Sequence, residues 1–172
     1  GHSVIRSLRA FNNQSGLIEI GNQHFTLDAP NFLNQAGKIV HAGTGQLDLL
    51  SGNAQQVGGD ITSRGRITLT SDTWENSARF EAGELTLNVD HFAQTLTGQL
   101  IASQSLTANG ISWINDGLIA SDGDLTLNLS NRYSGNGQLV SLGSLNLTVP
   151  QLALAAKGLI YGPNHTRIPS HQ

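Results

Sequence analysis

The sequence predicts an all-β protein, a parallel β-helix (β-solenoid) of about seven to eight coils with about 20 residues in each coil. The first observation is a duplication, because Gly117–Ser130 is followed by a similar segment, Gly137–Pro150, at an offset of 20 residues. The second is strand periodicity, since apolar and polar residues alternate through Leu125–Leu129. The third is that glycines and short polar residues separate these runs with turn chemistry, while no helix-period stripe competes with them. Each repeat therefore corresponds to one coil.

Composition narrows the classes of function. The chain has 172 residues, of which 12% are charged and 5% aromatic, with a net charge of −3 and no cysteine. These values favour neither a basic nucleic-acid surface nor a disulfide framework. No apolar run reaches the length of a membrane-spanning helix. Because the sequence has no methionine, we expect it to be part of a longer protein, and Gly1–Ser3 resembles a remnant of tag cleavage.

The repeat extends through most of the chain and predicts the core. A large apolar residue recurs at intervals of 19 to 22 residues in the first strand of each coil, and leucines recur in the second strand. We count seven full coils and a partial eighth within residues 11–160. Residues 1–10 are a tag remnant and candidate N-terminal cover, and residues 161–172 are an irregular C-terminal tail. The predicted core residues are Ile18, Ile39, Ile61, Phe80, Leu100, Ile119, Leu139, Leu127 and Leu147.

A third recurring position carries aromatic residues. They lie about one coil apart, and one coil, near Asn53 and Ala54, lacks its ring. Equivalent residues of successive coils stack about 4.8 Å apart. We therefore expect a column of rings that fills the core, with an external sugar-stacking platform as the alternative. The members are Phe11, Phe32, Trp74, Phe92, Trp113 and Tyr133.

Two polar features accompany the core positions. The residue two places after each first-strand apolar residue is usually small, but in the second coil it is His41. We expect a bulge that moves Ala42 into that position, because an unpaired inward imidazole would be costly. Asparagines just before the glycine that opens the first strand of each coil predict a ladder of hydrogen-bonded side chains with a structural role, and ligand binding is the alternative. The asparagines assigned to it are Asn12, Asn34, Asn53, Asn115 and Asn136.

The coils carry the pattern Asn-x-x-Gly-x-Ile-x-Ala/Ser-x-Gly-x-Leu-x-Leu-x-Leu, which is clearest over Gly117–Val149. This pattern resembles the haemagglutinin repeats of two-partner-secreted exoproteins. That family includes filamentous haemagglutinin and the contact-dependent growth-inhibition exoproteins of Gram-negative bacteria. The resemblance implies a right-handed parallel β-helix that forms a long stalk on the cell surface. Neither the family's secretion-domain Asn-Pro motif nor its Val-Glu-Asn-Asn toxin boundary occurs, so the chain resembles the interior of the stalk.

The titratable residues do not form a catalytic or metal-binding pattern. Asp122 and Asp124 flank the turn glycine of one coil, and Glu81 and Glu84 occupy the same turn in an earlier coil. The coil that follows Asp122 and Asp124 carries no acidic residue in this turn. The six histidines are scattered, without the spacing of a metal site. We therefore expect no enzymatic activity, no cofactor and no metal. A carbohydrate-active β-helix enzyme is a distant alternative.

The repeat and the resemblance together predict a structural stalk segment of a secreted surface exoprotein, which displays a distal adhesive or growth-inhibition activity. The alternative is a direct adhesin segment that binds a host or bacterial surface receptor, and an apolar patch on the outside would favour it. The expected partners are neighbouring repeats of the same exoprotein, an outer-membrane transporter during secretion and, for an adhesin, a cell-surface receptor. We expect no nucleic acid and no membrane insertion. The expected location is secreted, at the bacterial cell surface.

Overall fold

The computed structural model describes residues 1–21, 24–56, 58–163 and 167–168. Every regular element in these ranges is a β-strand, and the strands pair in parallel with their equivalents one coil away. The chain forms a β-solenoid of about eight turns, which confirms the predicted fold class. Within the same ranges there is no helix long and apolar enough to cross a membrane.

Each coil contributes three strand positions, and equivalent positions stack into three columns, named A, B and C in chain order. Strands are numbered along the chain. The short strands of column A are β3 (Leu17–Ile20), β6 (Lys38–His41), β9 (Asp60–Ser63), β13 (Leu118–Ser121), β15 (Gln138–Ser141) and β18 (Leu159–Tyr161). The short strands of column B are β1 (His2–Arg6), β4 (His24–Asp28), β7 (Gln46–Leu50) and β16 (Leu145–Thr148). The short strands of column C are β2 (Ala10–Asn12), β5 (Asn31–Leu33), β8 (Asn53–Gln56) and β17 (Gln151–Leu154).

Four long strands pass through more than one column. Strands β10 (Arg66–Asn76) and β14 (Asp124–Gly135) pass through columns B and C. Strands β11 (Arg79–Gln94) and β12 (Gln99–Asn115) pass through all three. The middle of the solenoid is therefore its most continuously paired part.

The core lies between the columns, because alternate residues of each strand point inward. In column B, Leu127 pairs in register with Ala108 on one side and Leu147 on the other, so the apolar residues stack along the axis. Thr126, the neighbour of Leu127, is only partly buried. Of the nine predicted core residues, eight are buried and Ile18 is partly buried against the same cluster. Ile18 lies in β3, the first strand of column A.

The two terminal segments continue the columns. Strand β1 pairs in parallel with β4, so residues 2–6 add a strand to column B and do not fold across the first coil. At the other end, Tyr161 still belongs to β18, and Arg167 forms an isolated parallel bridge with Asn146 in column B. Residues 164–166 and 169–172 of the predicted tail lie outside the described residues.

The predicted bulge at His41 is wrong. His41 pairs in register with Ile20 and with Ser63, and its side chain is buried in column A. Its Nδ1 lies 2.7 Å from the Ser63 hydroxyl, so the imidazole is paired inside the core and the expected cost of an unpaired group does not arise. The extra length of this coil lies in the following turn, where Gly43 has a φ of 81°.

Candidate functional site

A row of buried amide side chains runs along the inside of the solenoid at the end of column C. Asn76 Nδ2 donates to Gln94 Oε1 at 2.8 Å, and Gln94 Nε2 donates to Asn115 Oδ1 at 2.9 Å. Gln94 Nε2 also donates to the carbonyl of Leu118 in the next coil, at 3.1 Å. Because these amides are shielded from water, their mutual hydrogen bonds satisfy groups that would otherwise destabilise the core. The members of this amide ladder are Asn13, Asn34, Gln56, Asn76, Gln94 and Asn115.

The amide ladder agrees only in part with the expected asparagine ladder. Asn34 and Asn115 belong to it. Asn12 and Asn53 point outward from column C, and Asn136 lies exposed in a turn, so assigning these three to the ladder was wrong. The sequence pattern that predicts the amide ladder, and that was missed, is an aromatic residue or alanine followed two places later by Asn or Gln. Two places along a strand is the same face, so an amide at that spacing must point into the core with the ring. The pairs are Phe11 and Asn13, Phe32 and Asn34, Ala54 and Gln56, Trp74 and Asn76, Phe92 and Gln94, and Trp113 and Asn115.

The amide ladder has one interruption. Asn13 Nδ2 donates to Asn34 Oδ1 at 2.8 Å, and Gln56 Nε2 donates to Asn76 Oδ1 at 3.3 Å. Asn34 Nδ2 donates to the carbonyl of Asp60 at 3.3 Å. In the described part of the chain, Gln56 Oε1 is buried without a hydrogen-bond partner. The first two amides are therefore uncoupled from the rest.

The aromatic residues form an internal column beside the amide ladder. The ring centroid of Phe92 lies 5.1 Å from that of Trp74 and 4.5 Å from that of Trp113. Ala54 takes the position in the coil that lacks a ring, in register with Phe32 and Trp74. Phe11 is partly buried and the other five aromatic side chains of the column are buried, so they fill the core and do not provide an external sugar-stacking platform.

Tyr133 joins the aromatic column to the amide ladder. Its hydroxyl accepts a hydrogen bond from Asn115 Nδ2 at 3.1 Å. In the next coil, Gly135 occupies the position of Asn115 and has no side chain to continue the amide ladder. The Tyr133 hydroxyl therefore accepts the last hydrogen bond of the ladder. Burial raises the pKa of Tyr133 to about 12, while the hydrogen bond from Asn115 acts in the opposite direction.

The two tryptophans differ in the hydrogen bonding of their indole N–H groups. Trp113 Nε1 donates to the carbonyl of Val89 at 2.9 Å. Gly110 allows this approach, because a Cβ there would lie 2.7 Å from that nitrogen and 2.0 Å from the Val89 oxygen. In the coil of Trp74, Ser71 occupies the position of Gly110. Trp74 Nε1 is buried with no hydrogen-bond partner among the described residues.

The acidic residues singled out from the sequence are dispersed. Glu81 forms an ion pair with Arg79. Glu84 and Asp124 lie on the outside of column B, two coils and therefore about 9.6 Å apart. Asp124 Oδ1 accepts a hydrogen bond from the backbone N–H of Ser144, which caps the next turn. These carboxylates therefore do not face one another as a catalytic pair would.

Among the histidines that the structure describes, His2 and His24 lie together near the start of column B. The rings of His2 and His24 stack with centroids 3.7 Å apart, and His24 Nε2 lies 2.6 Å from Asp48 Oδ2. Over the ranges that the structure describes, no three His, Cys, Asp or Glu side chains converge to hold a metal ion.

A notch interrupts the corner between columns C and A. Four residues connect the strands at 95–98 and again at 155–158, but only two connect them at 116–117 and 136–137. Because the columns fix the strand ends, the extra residues of the longer turns project outward. Cavities of about 520 and 390 Å³ lie between the two projecting turns. Both cavities are lined by Leu96, Asp116, Asn136 and Lys157.

Backbone hydrogen bonds hold both walls of the notch in place. The N–H of Gly98 donates to the carbonyl of Thr95 at 3.0 Å, and the hydroxyl of Thr97 donates to the carbonyl of Ser77 in the preceding coil at 2.7 Å. Leu96, at the tip of this turn, is 84% exposed. On the opposite wall, the turn that carries Lys157 is closed by a 2.9 Å bond from the N–H of Gly158 to the carbonyl of Ala155. The notch is therefore preformed.

A row of polar side chains runs along the floor of the notch to the wall that carries Lys157. Asp116 Oδ1 accepts from the backbone N–H of Asn136 at 2.9 Å, and Asn136 Oδ1 accepts from the backbone N–H of Lys157 at 3.2 Å. The other carboxylate oxygen of Asp116, the Nδ2 of Asn136 and the ammonium of Lys157 have no partner among the residues described here. Ile114, which is 50% exposed, and Ala93 line the column C side. The notch thus combines aliphatic side chains with polar groups that have no partner in the described part of the chain.

Comparison of the chain with protein-family models, curated proteins and solved structures finds no match.

Proposed function

We propose that this chain is a structural segment of the stalk of a secreted bacterial surface exoprotein, which holds a distal adhesive or growth-inhibition activity away from the cell. The observation that carries the proposal is that all three columns keep their register through about eight turns. The resemblance of the repeats to haemagglutinin repeats supplies the surface setting.

The construction of the core supports a spacer role. Each coil buries its apolar side chains and its amide against the next, so stability is approximately a sum of coil terms and interface terms. The length of such a rod can change by whole coils without a new core. At about 4.8 Å per coil, about eight coils extend for roughly 38 Å.

Duplication of one coil tests this proposal. A second copy of residues 117–136 inserted after Asn136 should lengthen the particle by about 4.8 Å in small-angle scattering, and two copies by about twice that. The free energy of unfolding should rise with each copy, because each adds an interface. The control insert contains the same 20 residues in scrambled order. An insert that leaves the length unchanged, or that unfolds the protein as the scrambled one should, would refute the modular rod.

Direct adhesion is the second candidate. The observation that favours it is the local exposure of Leu96 and Ile114 beside the notch, since an exposed apolar patch with a polar rim is typical of an interaction site. Binding of the isolated protein to bacterial or host cells, lost on Leu96→Ser, would support this candidate.

A further inference from the structure

The notch has features that a spacer does not need. Four-residue turns also occur at 13–16 and 34–37 of this corner. At 95–98 and 155–158, two such turns fastened by hydrogen bonds flank two short turns and so form the two edges of the notch. This feature goes beyond the proposed function, because the length of the rod depends on the number of stacked coils and not on the turns at this corner.

The dimensions of the notch suit one extended chain. Its two walls are three coil steps apart, which is about 14 Å between backbone centres. This separation leaves room for one extended chain, since neighbouring strands lie about 4.8 Å apart edge to edge and packed sheets about 10 Å apart face to face. The walls block passage along the axis. A bound chain must therefore cross the corner, from Ile114 on the column C side to Gln138 on the column A side.

The chemistry of the notch matches a peptide better than a saccharide. None of the described residues that line the two cavities is aromatic, so they provide no ring platform of the kind on which sugars commonly stack. The apolar contacts come from Leu96, Ile114 and Leu118, which suit an aliphatic side chain. The side-chain amides of Asn136 and Gln138 can donate to and accept from a peptide backbone.

The charges of the notch specify the ligand further. Asp116 and Lys157 are opposite in sign and lie two coils apart, about 9.6 Å. Neither is neutralised by an ion pair within the described ranges. A uniformly acidic or uniformly basic polymer would meet a like charge on one side. We propose that the notch binds an extended segment of a partner polypeptide that carries an aliphatic side chain together with one basic and one acidic side chain.

Selection from a random peptide library tests the proposal. Phage-displayed twelve-residue peptides would be panned on the wild-type protein after depletion on a Leu96→Ser, Lys157→Glu double variant. Enriched sequences should combine an aliphatic residue with one basic and one acidic residue. A synthetic peptide of the enriched sequence should bind about tenfold more weakly to Leu96→Ser and to Lys157→Glu alone. In NMR titrations it should shift the amide signals of residues 95–98, 116 and 136.

Matched controls are available on other faces. Lys38 is the only other lysine in the chain, and Leu50 is an exposed leucine on column B. Lys38→Glu and Leu50→Ser should leave binding unchanged, and circular dichroism should show that all four single variants are folded. The proposal is overturned if no peptide is enriched over the double variant, or if the enriched peptide binds Leu96→Ser as tightly as wild type. It is also overturned if a glycan array shows a saccharide whose binding Leu96→Ser abolishes, since the ligand would then be a sugar.

Discussion

The coils between residues 66 and 149 are built more regularly than those between residues 10 and 63. In the later region, β11 and β12 run through all three columns and the amide ladder is unbroken from Asn76 to Asn115. In the earlier region every strand has three to five residues, and the ladder is interrupted after Asn34. Both regions nevertheless share the same columns and buried core. The solenoid therefore tolerates irregular turns as long as the inward positions remain in register.

Backbone chemistry explains part of the difference. The early turns hold Ser15 and Ala36 in the left-handed region, at φ values of 56° and 55°. In the turn of the next coil, the residue in this region is Gly58, with a φ of 68°. Residues with a Cβ are strained in that region. The early coils thus carry small local costs that the later coils avoid.

The largest expected effect comes from a charge in the shared core. Leu127→Asp should lower the free energy of unfolding by about 4 kcal/mol or more, because it buries an unpaired carboxylate between two coils. Leu49→Asp should do the same in the early region, since Leu49 is equally buried in column B. Thr126→Asp, on the outer side of the same strand, should cost less than about 0.5 kcal/mol. Urea denaturation measures all three, and a tolerated Leu49→Asp would show that the early coils are not part of one core.

The amide ladder should distinguish the two regions. Asn76→Leu should cost about 2–3 kcal/mol, because it leaves Gln94 Oε1 buried without its donor and removes one of the two acceptors of Gln56 Nε2. Asn34→Leu should cost about 1–2 kcal/mol, since Asn34 makes only one bond to another ladder member, Asn13. Thermal and urea unfolding of the two variants provide the comparison. Equal costs would mean that the interruption at Gln56 has no energetic consequence.

Tyr133 gives the regular region a dependence on alkaline pH. Its pKa is raised to about 12 by burial, so the phenolate is harder to form in the folded protein than at the ordinary value of 10.0. Its contribution to stability should be constant below pH 10 and should be lost as the pH rises from 10 to 12, by about 2 kcal/mol in total. Tyr133→Phe should remove this part of the pH dependence, which stability curves between pH 8 and 12 would show. Tyr161, the only other tyrosine, supplies the control variant Tyr161→Phe.

The smallest expected effect is a repair of the early region. Ala36→Gly should raise the free energy of unfolding by about 0.5 kcal/mol, because relief of left-handed strain exceeds the entropy cost of glycine. Ala156→Gly, in the long turn at the other end, should slightly destabilise the protein, since Ala156 does not have a positive φ. Differential scanning calorimetry resolves the two signs. A lower melting temperature for both variants would contradict the strain at Ala36.

The sequence predicted the features that repeat, and it failed where one coil compensates for another. The 20-residue offset and the alternation around Leu127 were sufficient for the fold, because a solenoid uses the same inward positions in every coil. The pairing of His41 with Ser63 joins two coils and cannot be seen in either coil alone. The notch depends on turn lengths, which appear in the sequence only as small variations of the period, and strand ends cannot be located well enough from sequence to interpret them.

The amide ladder also gives the molecule an electrical direction along its axis. Every bond within it donates towards the C-terminal end, and the row finishes at the Tyr133 oxygen. A second row, on the outside of column B, donates the other way, from Asn128 to Asn109 at 3.2 Å and from Asn109 to Asn88 at 3.1 Å. Aligned amide dipoles polarise one another, and a surrounding of low dielectric strengthens the effect. The inner row should therefore outweigh the solvated outer one, leaving a net side-chain dipole whose positive end points towards Tyr133.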